Sequence, residues 1–80
     1  MRLNELARRQ PAIVEQVEAL APNDAIARRL GDLGFVRGER VELLAAGPFG
    51  AEPLLVQVGF TRFALRQAEA ARVRVQAVVE

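Results

Sequence analysis

From Arg40 onward, apolar residues return at every second position in short runs broken by glycine and proline. Val41, Leu43 and Ala45 face one way, and Arg40, Glu42 and Leu44 the other. Leu54, Val56 and Val58 form the next run, followed by Phe63 with Leu65 and Val73 with Val75. A period of two is the side-chain period of a β-strand. Runs this short bury their apolar faces only by folding onto one another, which predicts a small closed barrel. Gly47, Pro48 and Gly50 mark a loop carrying Phe49, residues 59–61 a turn, and residues 67–70 a short turn of helix.

Upstream of Arg40 the pattern differs. Leu3 and Leu6 are three apart around Asn4, which suits one helical turn, capped by Asn4, that ends before Pro11. Residues 12–20 read as a strand whose alternation slips at Glu15 and Gln16, leaving Val14 and Val17 out of phase, as a β-bulge requires. Residues 24–33 form the main helix: Asn23 is a suitable N-cap, and Ile26, Leu30 and Leu33 make one apolar stripe. Asp24 with Arg28, and Arg28 with Asp32, are spaced four apart and predict ion pairs along its outer side. Gly34 fits a left-handed stop, with Phe35 folding back onto Leu30 as in a Schellman cap. Residues 36–39 turn around Gly38, a second candidate for positive φ.

Eighty residues accommodate one domain, residues 1–80, with every functional group on one compact surface. A core this small supplies about 3 to 5 kcal/mol, so self-association of the chain is one way to supplement it. Cys, His, Lys, Ser, Tyr and Trp are all missing, and Thr61 is the only side-chain hydroxyl. That set holds none of the usual nucleophile and base pairs, so the chain is expected not to be an enzyme. Thiolate and imidazole ligands are missing too, and the ten acids are dispersed, so neither a metal site nor a cofactor is expected. Eleven arginines against ten acids give a net charge of +1, too small for tight nucleic-acid binding. Arg8, Arg9, Arg28, Arg29, Arg72 and Arg74 are expected to solvate outer faces and pair with nearby glutamates. With no secretory leader pattern, no membrane-length apolar run and no thiols, a cytoplasmic location is expected.

Three stretches in order resemble the FeoA family, ferrous iron transport protein A. They are Arg29-Leu30-Gly31-Asp32-Leu33-Gly34-Phe35-Val36-Arg37-Gly38, the strand from Pro53 to Val58, and Phe63-Ala64-Leu65-Arg66 with Glu69-Ala70 followed by Val73 and Val75. The chain departs from the family at Ala7, Arg8, Arg9 and Gln10, where Pro and Gly are common, and at Glu52, where Asp is common.

The resemblance implies a mainly β, SH3-like barrel of about five strands with one main helix and short helical turns. It also implies an interaction module of ferrous iron uptake and iron homeostasis. Its expected partner is the cytosolic GTP-binding portion of a FeoB-type transporter, and that partner is its only tie to the membrane. The family's domain also forms the C-terminal module of some metal-dependent repressors, so a regulatory role beside such a repressor or nucleic acid is the alternative. Arg28, Val36, Arg37 and Phe49 are the candidate partner-binding residues, because exposed apolar tips flanked by arginine suit interface anchors. Val36 and Phe49 capping the barrel ends is the competing reading.

Overall fold

The computed structural model describes residues 1–49 and 51–79; Gly50, expected in a loop, lies outside the described residues. Five antiparallel strands form one sheet in the order β4-β3-β2-β1-β5: β1 Pro11–Val17, β2 Arg40–Phe49, β3 Glu52–Val58, β4 Thr61–Leu65 and β5 Val73–Ala77. A 3-10 turn, Leu3–Glu5, precedes β1; helix α1, Ala25–Leu33, joins β1 to β2; and helix α2, Gln67–Ala70, joins β4 to β5.

The sheet curls into a barrel-like shape but, contrary to the expected closure, β4 and β5 remain its two ends. The outer edge of β5 is already occupied. The Val75 N–H donates to the Met1 carbonyl at 2.9 Å, and Arg2 bridges Arg74, so the N-terminus takes the position that β4 would need. Leu3 is fully buried beneath this strap, and Leu6 nearly so. The turn forms with Arg2, not Asn4, in the capping position, where the Arg2 N–H donates to the Glu5 carboxylate at 2.6 Å.

Bulges decide which side chains face inward. In β1, Val14 pairs with Val75 and Gln16 with Arg74, leaving Glu15 as the inserted residue, as the slipped alternation predicts. In β2, Leu43 pairs with Val56 and Ala45 with Leu55, so Leu44 is inserted. The expected common face of Val41, Leu43 and Ala45 is therefore incorrect at its end: the insertion sets Ala45 opposite Leu55, out of phase with Leu43 opposite Val56, while Leu44 is buried outside the main core cluster. A second irregularity absorbs Gly47 and Pro48, allowing β2 to run on to Phe49, which pairs with Glu52. The expected loop is thus mostly strand. Leu54, Val56 and Val58 face the core as their alternation predicts, against Val14, Val41, Val73 and Val75.

Helix α1 ends as expected: Gly34 has φ +113°, and the Phe35 N–H donates to the Leu30 carbonyl at 3.0 Å. Its start differs by one residue. Asp24, not Asn23, is the N-cap; its Oδ1 accepts from Ile26 and Ala27 at 3.1 and 3.3 Å. Its Oδ2 accepts from the Leu20 N–H at 2.9 Å and Arg72 Nε at 2.8 Å, so Asp24 pairs with Arg72 and not Arg28. That capture of Leu20 also explains why β1 stops at Val17 rather than reaching residue 20.

Candidate functional site

Ile26, Arg29, Leu30 and Leu33 recur at three and four and therefore share one face of α1. That face looks across a groove of about 290 Å³ toward Phe63, Ala64 and Leu65 of β4, with Pro53, Arg66 and Glu69 completing the wall. Leu30 and Leu65 are buried and form its floor, while Ile26 is exposed at the rim. The ring of Phe35, just past α1, packs on Phe63 with centroids 6.1 Å apart and planes tilted by 49°. Helix and strand are thereby held at a fixed separation.

The charges around this groove are unequal. Arg29 and Arg66 are exposed, and neither forms an ion pair among the described residues. The acid present, Glu69, accepts the Arg66 backbone N–H at 2.8 Å, which starts α2. The wall thus combines apolar contact area with two unopposed cations, and it contains no nucleophile beside a base. Among the described residues no three His, Cys, Asp or Glu side chains converge as a metal site.

The residues singled out from sequence are dispersed. Val36 and Arg37 lie before β2, in the turn that Gly38, at φ +91°, closes onto the Val14 carbonyl at 2.9 Å. Phe49 is at the opposite end of β2, 82% exposed, beside Glu52, whose carboxylate accepts the Gln67 N–H at 2.6 Å. Arg28 is exposed on α1, 3.5 Å from Asn23 Oδ1. Arg37 also borders a second, more polar depression of about 460 Å³ with Glu15, Gln16, Arg74 and Gln76. Ile26, Arg29, Phe63 and Arg66 were not singled out in sequence as site residues. Ile26 carried a local signal as a member of the α1 stripe and Phe63 as a member of the β4 alternation, while nothing local marked Arg29 or Arg66.

One arginine departs from the expectation of solvated outer faces. Arg72 is buried, held by Asp24 and by the Ala68 carbonyl at 2.7 Å from Nη1. The Arg72 guanidinium, followed by the Leu20 N–H, lowers the Asp24 pKa from an ordinary 3.8 to about 2. Arg2 and Arg74 both reach Glu18, and Arg9 reaches Glu42 at 3.6 Å, as expected for arginines near glutamates.

Comparison with known proteins places this architecture. The FeoA domain family matches residues 1–77. The crystal structure of Stenotrophomonas maltophilia FeoA complexed with zinc is 63% identical, with a TM-score of 0.88 over 95% of this chain and 89% of that one. That protein is described as a prokaryotic SH3 domain protein and put forward as a ferrous iron transport activating factor. The solution structure of Chlorobium tepidum FeoA is 35% identical, with a TM-score of 0.83 over 99% of this chain and 71% of that one. T. acidophilum IdeR shares the fold alone, at 15% identity and a TM-score of 0.78 over 98% of this chain and 34% of that one. No curated protein sequence is significantly similar to the chain.

Proposed function

Because the chain belongs to the FeoA family of SH3-like proteins associated with ferrous iron transport, we propose that it docks on the cytosolic GTP-binding portion of a FeoB-type transporter. The observation carrying this reading is the α1–β4 groove, where an apolar floor is bordered by Arg29 and Arg66 without carboxylate partners among the described residues. Apolar surface walled by unopposed arginine is the composition of interface hot spots. Val36, Arg37, Arg28 and Phe49 are flanking contacts in this proposal, reaching the partner outside the groove.

The chain then acts as a non-catalytic accessory: what it contributes is a shaped exterior that alters assembly or nucleotide turnover of the transporter. It works in the cytoplasm, where the transporter's GTP-binding portion lies. Among the described residues no helix is long and apolar enough to cross a membrane, so in this proposal the membrane is reached through the partner. Ile26→Asp tests the reading, because a carboxylate at an exposed rim position removes apolar contact without touching the core. The folded variant should lose affinity for the transporter's cytosolic portion about tenfold or more. Unchanged affinity removes the groove from the interface.

A further inference from the structure

Three consecutive residues of β4, Phe63, Ala64 and Leu65, line the groove. Successive side chains of a strand point to opposite faces, so a concavity touching three in a row runs along the strand's edge. That edge is open. β4 pairs with β3 on one side, and no other strand joins it among the described residues. The register identifies which backbone groups face outward. A two-residue turn at Gly59 and Phe60 makes Val58 and Thr61 a hydrogen-bonded pair. By antiparallel alternation, Phe63 and Leu65 also exchange hydrogen bonds with β3, while Arg62 and Ala64 turn their N–H and C=O groups away from it.

We infer that the β4 edge, facing α1 across the groove, is a strand-addition site for an extended acidic segment of a partner protein carrying apolar residues at alternate positions. The inference deepens the docking reading above and rests on it for the partner's identity. An added strand would exchange backbone hydrogen bonds with Arg62 and Ala64, and alternate side chains would enter the groove beside Ile26 and Leu33. Its charge follows from Arg29 and Arg66, exposed and without ion-pair partners among the described residues. Arg62 adds a third exposed arginine on the strand itself. An acidic segment is attracted there, and a basic one is repelled. The opposite sheet edge offers no equivalent, since Met1 and Arg2 already cover β5.

The test uses the isotope-labelled full chain, a short peptide of alternating valine and aspartate, and the same peptide with lysine in place of aspartate. The acidic peptide should slow amide exchange at Arg62 and Ala64 and shift Ile26, Arg29 and Phe63; the basic peptide should do neither. Ala64→Pro removes an outward N–H from an edge strand, a place where proline is tolerated, and should weaken the acidic peptide about tenfold or more. Arg29→Glu with Arg66→Glu should reverse the preference. Exchange at Arg62 and Ala64 unaltered by the acidic peptide overturns the inference, as does equal binding of both peptides. If the transporter portion binds while those two amides stay unprotected, strand addition is refuted and docking stands. If the peptide binds the edge but the transporter portion does not bind at all, docking on the transporter fails and the edge site stands.

Discussion

Arg72 Nε lies 2.8 Å from Asp24 Oδ2, joining the lead-in to β5 to the N-cap of α1 across 48 residues of chain. The same carboxylate caps the helix and holds Leu20, so one side chain fixes where α1 starts and where the preceding loop turns, and Arg72, which donates from Nη1 to the Ala68 carbonyl, ties both to α2. Because α1 forms one wall of the groove, this pair sets the groove's geometry from behind.

Asp24→Asn isolates the charge, since asparagine caps a helix about as well as aspartate. The Asp24 pKa falls from 3.8 to about 2 on folding, so the unfolded chain binds more protons between those values. Its stabilisation is therefore complete above about pH 5 and is lost as pH falls toward about 2. Urea midpoints should show the variant less stable than the parent at neutral pH, with the gap narrowing below about pH 4 and closing near pH 2. A gap independent of pH would show that the charge of Asp24 is not what matters.

Gly47→Ala should destabilise by about 1 to 3 kcal/mol. A Cβ there would collide with the Glu52 carbonyl across the β2–β3 hairpin, backbone that cannot move aside without shifting Phe49 and Pro53. Against a core worth about 3 to 5 kcal/mol, much of the stability would go, and a urea midpoint measures it directly. A midpoint equal to that of the parent contradicts the close approach.

Arg9 has φ +70°, a conformation that costs a non-glycine residue about 1 to 2 kcal/mol, and its N–H donates to the Leu43 carbonyl at 2.7 Å. Arg9→Gly relieves that strain but adds freedom to the unfolded chain and gives up an exposed ion pair with Glu42. Stability should change by less than about 1 kcal/mol. Gly34→Ala, at φ +113° in the Schellman cap, should cost about 1 kcal/mol or more. Thermal midpoints of the two variants should separate accordingly, and the opposite order would contradict this assignment of strain.

What could be read in the sequence was local. The α1 stripe, the Gly34 stop, the bulge at Glu15 and the 67–70 turn each follow from residues within one or two turns of each other, and the structure has them all. Asn23 and Asp24 are equally good caps by local chemistry; Arg72, far along the chain, decides between them. Val41, Leu43 and Ala45 alternate faultlessly as one face, and only pairing with β3 reveals the insertion at Leu44 that puts Ala45 out of phase. The groove escaped for the same reason. Its walls come from α1 and β4, about thirty residues apart, and no spacing rule links Ile26 to Phe63. The resemblance to the FeoA family is carried by glycine and apolar positions, which fix turns and core and therefore the fold.

Val36→Ala with Phe49→Ala tests the flanking contacts. Both side chains are largely exposed, at 47% and 82%, so the double variant should stay folded, each change moving stability by less than about 0.5 kcal/mol. Affinity for the transporter's cytosolic portion should fall. A folded double variant that binds as the parent does removes both residues from the interface.

The most direct measurement is a titration of the isotope-labelled chain with the cytosolic portion of a FeoB-type transporter, with and without guanine nucleotide. Shifts should concentrate on Ile26, Arg29, Phe63 and Arg66 and spread to Val36 and Phe49, leaving the strap at Met1 and Arg2 undisturbed. A spectrum that does not change under any nucleotide condition, or changes confined to the β1–β5 face, would contradict the account.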